Sequence, residues 1–308
     1  MLRPSSIVVL ALAAVSVFAQ SADENVIRTE TRLVVLHASV VDKKGKLITN
    51  LPQQAFKVYE NGAEQTIKVF RREDVPISLG IIVDNSGSMR PRRARVERSA
   101  LDLVRASNPQ DEVFIVNFND ESYLDVPFTS DIKKMEEGIA RIDSRGGTAL
   151  RDSISESMDY LKQQGKKDKK VLLVVTDGAD TASNERNTLE KLVEKAHKDE
   201  ILIYAIGLLN EEEPHEAKKA KRVLNALTAA SGGIAFYPKQ DSDVDQLALE
   251  VAHDIRNQYI IAYTPTMPDD GAFRQIKVTV NGPGHPVVRT RTGYYATPPT
   301  RSASLTHP

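Results

Sequence analysis

The spacing of apolar and polar positions divides the chain into two β-rich flanks and a middle of another kind. Leu33 to Val41 is a β-rich run that ends in the turn cluster Asp42-Lys43-Lys44-Gly45. Phe56 to Glu60 and Gln65 to Phe70 are strand-like runs either side of Asn61-Gly62, the strongest short hairpin signal. From Ile77 the pattern becomes strand then helix, repeated. Strands are expected at Ile77–Val83, Val113–Phe118, Val171–Thr176, Ile201–Gly207 and Ile234–Tyr237. Helices are expected at Pro91–Ala106, Ile132–Ile142, Leu150–Gln164, Leu189–Asp199, Ala217–Ala230 and Val244–Asn257. Such alternation implies βαβ crossovers and a mostly parallel sheet with helices on both faces. Beyond Gln258 the β pattern returns. Tyr259–Tyr263 is one strand. Ile276, Val278 and Val280 alternate with Lys277 and Thr279, giving a strand with one wet face. Val287 to Tyr295 is a last strand, in which Tyr294 and Tyr295 pack.

The fold class is therefore α/β: a doubly wound, mostly parallel sheet inserted in a small β-sandwich built from both flanks. Neither flank has enough strands to bury much apolar surface alone, so the two are expected to pair. The expected divisions are 1–19 signal peptide, 20–76 and 258–297 the two parts of the sandwich, 77–257 the α/β domain, and 298–308 a disordered tail. The start has the form of a secretory signal: Arg3, the apolar run Ile7 to Phe18, and small residues flanking a free position in Val17-Phe18-Ala19. That run is short for a membrane span. No later stretch could cross a bilayer, so the mature protein is expected to be exported, to the periplasm or the medium.

Composition narrows the chemistry. The 308 residues contain no cysteine, which excludes disulfides, thiolate metal sites and Cys nucleophiles. A net charge of -1 gives no general attraction to nucleic acid. There is no His-Glu-x-x-His zinc motif and no Walker-type phosphate loop, and no Ser/His/Asp set can be picked out from spacing.

What remains is a set of loop residues. Asp84-Asn85-Ser86-Gly87-Ser88 follows the apolar run Ile77 to Val83, at the carboxyl end of a buried strand, where open α/β sheets bind ligands. Asp177, in Thr176-Asp177-Gly178, follows another such strand. Thr148, in Gly146-Gly147-Thr148-Ala149-Leu150, stands just before a helix and can join them. One carboxylate and two hydroxyls on a Gly-containing loop offer hard oxygens to one point, the donor chemistry of Mg²⁺ or Mn²⁺. Each piece also has a plain structural reading. Ser88 and Thr148 could be helix N-caps, and Asp177-Gly178 a turn.

In this order and context, Asp84-x-Ser86-x-Ser88, Gly-Gly-Thr148 and Thr-Asp177-Gly resemble the metal-ion-dependent adhesion site of von Willebrand factor A domains, over roughly Ile77 to Asn257. The resemblance implies that Ser86, Ser88 and Thr148 bind the metal directly or closely, and that Asp84 and Asp177 act directly or through water. It implies a protein partner whose Asp or Glu completes the coordination of Mg²⁺ (or Mn²⁺), and a binding module rather than an enzyme. It also implies that a shift of the last helix, Val244–Asn257, could pull on the strand at Tyr259. The alternatives are a metal-dependent hydrolase and a structural envelope component with an idle site. Asp180 is expected to be an exposed loop residue rather than one that supports the metal-binding side chains from behind. The basic run Arg90, Arg92, Arg93, Arg95 and Arg98 reads as a solvated face, or else as a docking patch for an acidic partner. Lys166 to Lys170 reads as a solvated loop.

Overall fold

The computed structural model describes residues 33–106, 108–139 and 145–297. The expected signal segment and tail lie outside them. The first flank supplies β1 (Val34–Val41), β2 (Phe56–Glu60), β3 (Ala63–Gln65) and β4 (Ile67–Arg71). The middle runs β5 (Ile77–Asp84), α1 (Arg93–Arg105), β6 (Glu112–Phe118), β7 (Ser122–Thr129), α2 (Ile132–Ile139), α3 (Leu150–Gln164), β8 (Lys169–Thr176), α4 (Leu189–Asp199), β9 (Ile201–Gly207), α5 (Pro214–Ser231), β10 (Ala235–Phe236) and α6 (Val244–Arg256). The second flank adds β11 (Tyr259–Tyr263), β12 (Phe273–Val280), β13 (Val287–Arg289) and β14 (Gly293–Tyr295).

The central sheet has the order β10-β9-β8-β5-β6-β7 and is parallel except for β7. Its strands are apolar on both faces because both are covered. On one face Leu79, Ile81, Val113 and Leu173 pack against Val96 and Leu103 of α1, Met135 of α2 and Val251 of α6. On the other, Ile82, Phe114 and Val174 pack against Ile154 and Met158 of α3, Leu192 of α4 and Leu224 of α5. Gly80 lies under the Phe114 ring, where a Cβ would stand 2.4 Å from Cζ.

The flanking sheets have the orders β13-β1-β11-β4 and β14-β12-β2-β3, so each draws strands from both ends of the chain. Val34, Leu36, Val58, Ile261, Ile276 and Tyr294 share one core between them. Asn61 and Gly62 both have positive φ (47° and 85°), the backbone of a tight hairpin turn, and Glu60 pairs with Ala63 across it.

Four expectations need correction. The run Gln65 to Phe70 is two strands: β3 stays with β2, while β4 crosses to pair with β11. Likewise Val287 to Tyr295 is broken into β13 and β14, which pair with β1 and β12 in different sheets. In both cases one apolar run serves two sheets of the same sandwich. The first helix of the middle begins at Arg93, not Pro91, after a 3₁₀ turn at Gly87–Met89. The edge strand β7 has no counterpart in the sequence reading. Its half-wet pattern and Pro127 suit an edge position and hide the strand signal.

Lys169 is also not a solvated loop residue. It opens β8, is buried, and donates from Nζ to the Ile255 carbonyl at 2.7 Å. Burial, then the Arg256 charge, pulls its ammonium from 10.5 down to about 7, against the opposing pull of Asp254, Asp74 and Asp111. Between those two values the unfolded chain holds a proton that the folded chain has released, so stability rises with pH across that window. At ~1.4 kcal/mol per pKa unit the gain is on the order of 5 kcal/mol. Urea unfolding from pH 7 to 10 should show this rise in the parent protein, and Lys169→Met should remove it. Equal slopes would contradict the assignment.

Candidate metal centre

Parallel pairing of β5 with β8 brings Asp84 and Asp177 to the same sheet edge. The Asp84 carboxylate is buried. Its Oδ1 accepts from the Ser86 amide at 2.9 Å and its Oδ2 from Thr176 Oγ1 at 2.6 Å. Ser86 Oγ lies 3.1 Å from Ser88 Oγ, and Ser88 Oγ donates to Asp177 Oδ1 at 2.9 Å. Hydrogen bonds thus run unbroken from Ser86 through Ser88 to Asp177. Ser88 is the exposed member, while Asp84, Ser86 and Asp177 are each no more than 2 % exposed.

Thr148 comes from the third loop. Arg145 N donates to Asn85 O (3.0 Å) and Gly87 N to Gly146 O (3.2 Å), which seats this loop on the first. Thr181 N donates to Thr148 O (2.9 Å) and Thr148 N to Thr181 Oγ1 (3.0 Å), which ties it to the segment after Asp177. The two glycines are needed here. Gly146 has φ +75°, a Cβ on it would lie 2.1 Å from Asp120 Oδ2, and Gly147 N donates to Asp120 Oδ1.

The plain structural readings of the hydroxyls do not hold. Ser88 caps no helix: α1 has Arg92 at its N-cap position and no side-chain cap. Nor does Thr148 cap α3, whose N-cap position is Ala149. The first turn of α3 is served from outside: Arg151 N donates to Asp180 Oδ2 and Asp152 N to Ser183 Oγ. Asp180 is therefore no exposed loop residue. Its carboxylate also pairs with Arg151 Nε at 2.6 Å, and its side chain is 10 % exposed.

Arg92 corrects the reading of the basic run as a solvated face. Its guanidinium is 6 % exposed and meets three carboxylates: Nη1 to Asp177 Oδ2 at 2.9 Å, Nη2 to Glu211 Oε2 at 2.5 Å and Nε to Asp241 Oδ2 at 3.2 Å. Arg93 pairs with Glu97 along the helix. Nothing local in the sequence separates Arg92 from its neighbours, since its partners lie 85 to 149 positions away. Thr176 was a missed contact of Asp84; its place beside Asp177 was the available signal.

Two carboxylates in one buried place repel. Burial pushes Asp84 up from 3.8 to about 6; bonds from Thr176 and Ser86 resist, and the Asp177 charge adds to the rise. Asp177 is raised too, chiefly by burial, against the pull of Ser88 and Arg92. Such a site favours a cation. Among the described residues no group of three or more His, Cys, Asp or Glu is placed to hold a metal ion. The donors here are instead two carboxylates supplemented by hydroxyls, a set that fits a small hard cation.

Residues 79–179 match the family model of the von Willebrand factor type A domain. The middle of the chain has a von Willebrand factor A-like α/β fold, with a mostly parallel central sheet accompanied by flanking antiparallel sheets. Among curated proteins, integrin alpha-11 of Mus musculus is 27% identical over 142 residues, which is 43% of this chain but only 12% of that protein. Among solved structures, a von Willebrand factor type A protein from Catenulispora acidiphila has a TM-score of 0.51 at 12% identity, covering 84% of this chain and 74% of that one. Proximal thread matrix protein 1 from the mussel byssus, with a zinc-occupied MIDAS motif, has a TM-score of 0.51 at 16% identity, covering 64% of this chain and 50% of that one. At these identities the structural likeness concerns the fold. Among the described residues, no helix is long and apolar enough to cross a membrane.

Proposed function

We propose that Asp84, Ser86, Ser88, Thr148 and Asp177 hold a divalent cation, Mg²⁺ or Mn²⁺, and that the protein is an exported, non-catalytic binding module whose partner presents an Asp or Glu at that cation. The carrying observation is the chain of hydrogen bonds from Ser86 through Ser88 to Asp177. The two hydroxyls point at each other and at a carboxylate instead of capping helices. The cation, when bound, would supply an electrophilic point at which an incoming carboxylate can replace water.

The remaining work falls to the chain. Thr176 and the Ser86 amide orient Asp84, Arg92 orients Asp177, and exposed Ser88 marks the open side. Both carboxylates are engaged by these partners, so neither is disposed as a general base, which favours binding over hydrolysis. The signal-like start supports export.

Calorimetric titration of the chelated, re-purified protein with Mg²⁺ and Mn²⁺ tests the first half. Loss of an outer partner of a metal costs about 10–100-fold in affinity, so Asp177→Ala and the double variant Ser86→Ala/Ser88→Ala should cost at least about 100-fold. Capture of partners in Mg²⁺ followed by elution with chelator tests the second half. Equal capture with and without chelator, or turnover of a phosphoester that vanished in Asp177→Ala, would overturn the binding-module reading.

A further inference from the structure

At the amino ends of β5, β8 and β9, the opposite edge of the sheet from Asp84 and Asp177, lies a cavity of about 530 Å³. That is the size range of small-molecule sites, about 300–1,000 Å³. Its wall is formed by the central sheet, by β1, β4 and β11, and by the segments that join them. Six basic side chains line it: His37, Arg71, Lys166, Lys167, Lys169 and Arg291. Only Asp168 and Glu200 among its lining residues are acidic. The rest of the wall is largely apolar, with Val35, Pro76, Leu202 and Ile260.

Two of the cations are buried, and their hydrogen-bonding capacity is not used up among the described residues. Arg291 is 8 % exposed. Its Nη2 donates to the Val35 carbonyl at 2.9 Å, but Nε has no acceptor, and Nη1, although 2.9 Å from Glu200 Oε1, has no aligned hydrogen bond. Lys169 is 5 % exposed and donates to Ile255 O, while its nitrogen, an ammonium below about pH 7, has further donors to give. His37 Nδ1 is buried and has no partner among the described residues. Buried cations are ordinarily paired, because an uncompensated one in an apolar wall is costly. An oxyanion entering here would meet a fork of unused guanidinium N–H groups and an ammonium, with apolar wall beside them.

We infer that this cavity is a binding site for a small organic anion, an oxyanion headgroup on an aliphatic body. The headgroup lies against Arg291 and Lys169, the chain lies along Val35, Leu202 and Ile260, and Lys166, Lys167 and Arg71 set the positive rim. The site is independent of the proposed cation centre, and it is tested with chelator present throughout.

The probes are octanoate, octyl phosphate, inorganic phosphate and 1-octanol, titrated calorimetrically into the purified protein. Octanoate or octyl phosphate should bind in a 1:1 ratio, at least tenfold more tightly than 1-octanol and at least tenfold more tightly than inorganic phosphate. Whichever of the two binds better identifies the headgroup as carboxylate or phosphate. Arg291→Met should weaken the better probe at least tenfold. The rim variant Lys166→Glu/Lys167→Glu, which alters no fully buried residue, should weaken it at least threefold and keeps the test open if Arg291→Met does not fold. The inference is overturned if neither octyl anion binds, if 1-octanol or inorganic phosphate binds as tightly as they do, or if the rim variant binds within twofold of the parent.

Discussion

Arg92→Met should destabilise the metal-free protein by about 3–5 kcal/mol, and millimolar Mg²⁺ should restore most of the loss. The guanidinium is 6 % exposed and bonds Asp177, which is itself 1 % exposed and stands beside buried Asp84. Methionine matches much of the volume and removes the charge. Asp177 would then keep neutral donors, Ser88 and its own backbone amide, with a second carboxylate nearby and without the guanidinium counter-charge. Removal of one partner from a buried pair is costly for this reason, whereas an exposed pair such as Lys57–Glu64 contributes little. A divalent ion at the proposed centre would supply the missing positive charge, and binding to the folded form alone raises stability by mass action. Melting curves of parent and variant in chelator and in Mg²⁺ read both effects. The expected fall in chelator is on the order of 10 °C. Identical melting in chelator would deny Arg92 its role, and a fall that Mg²⁺ leaves untouched would count against the cation site.

The second large effect belongs to the sandwich. Glu60 is 1 % exposed, and its Oε2 accepts from Tyr263 Oη at 2.6 Å and Tyr294 Oη at 3.0 Å, with Arg274 Nε 3.9 Å from Oε1. These residues sit on β2, β11, β14 and β12, so this carboxylate bridges the two flanking sheets and the two ends of the chain. Glu60→Ala removes the carboxylate that accepts from the two buried phenols and lies nearest the buried Arg274 guanidinium, at a cost of about 3–5 kcal/mol. Glu60→Gln keeps an acceptor for the phenols and should cost less than half of that. Urea unfolding measures both, and a loss below ~1 kcal/mol in Glu60→Ala would contradict this account of the sandwich.

Strand and helix order were legible where one element had one environment. The central strands, apolar on both faces, and α3 and α4, with their plain periodicity, fall where the spacing put them. The flanks were less legible. Ile67 and Tyr294 each belong to runs that switch sheets, and a switch leaves the apolar pattern unbroken. The polar loop residues at Asp84, Thr148 and Asp177 could be read because strand ends are where a parallel sheet gathers such groups. Arg92, Glu211 and Asp241 could not, because their meeting depends on α1, the loop after β9 and the start of α6 closing on one point. Lys169 and Arg291 were hidden for a related reason: their burial comes from the join between the α/β domain and the sandwich, which no local pattern records.

The same join bears on coupling. Asp241, bonded to Arg92, lies just before α6, and Asp254 near its end accepts from Tyr204 Oη at 2.6 Å and from Arg289 of β13 at 2.9 Å. The last helix is thus tied to Arg92 at its start and to β9 and β13 near its end.

The most direct test is a crystal structure of the protein grown or soaked with Mn²⁺, with anomalous scattering recorded. One strong anomalous peak is expected within about 2.3 Å of Ser86 Oγ and Ser88 Oγ, with Asp84, Thr148 and Asp177 around it directly or through water. Well-ordered crystals at millimolar Mn²⁺ with no peak there, or with these five side chains turned away from any common point, would contradict it.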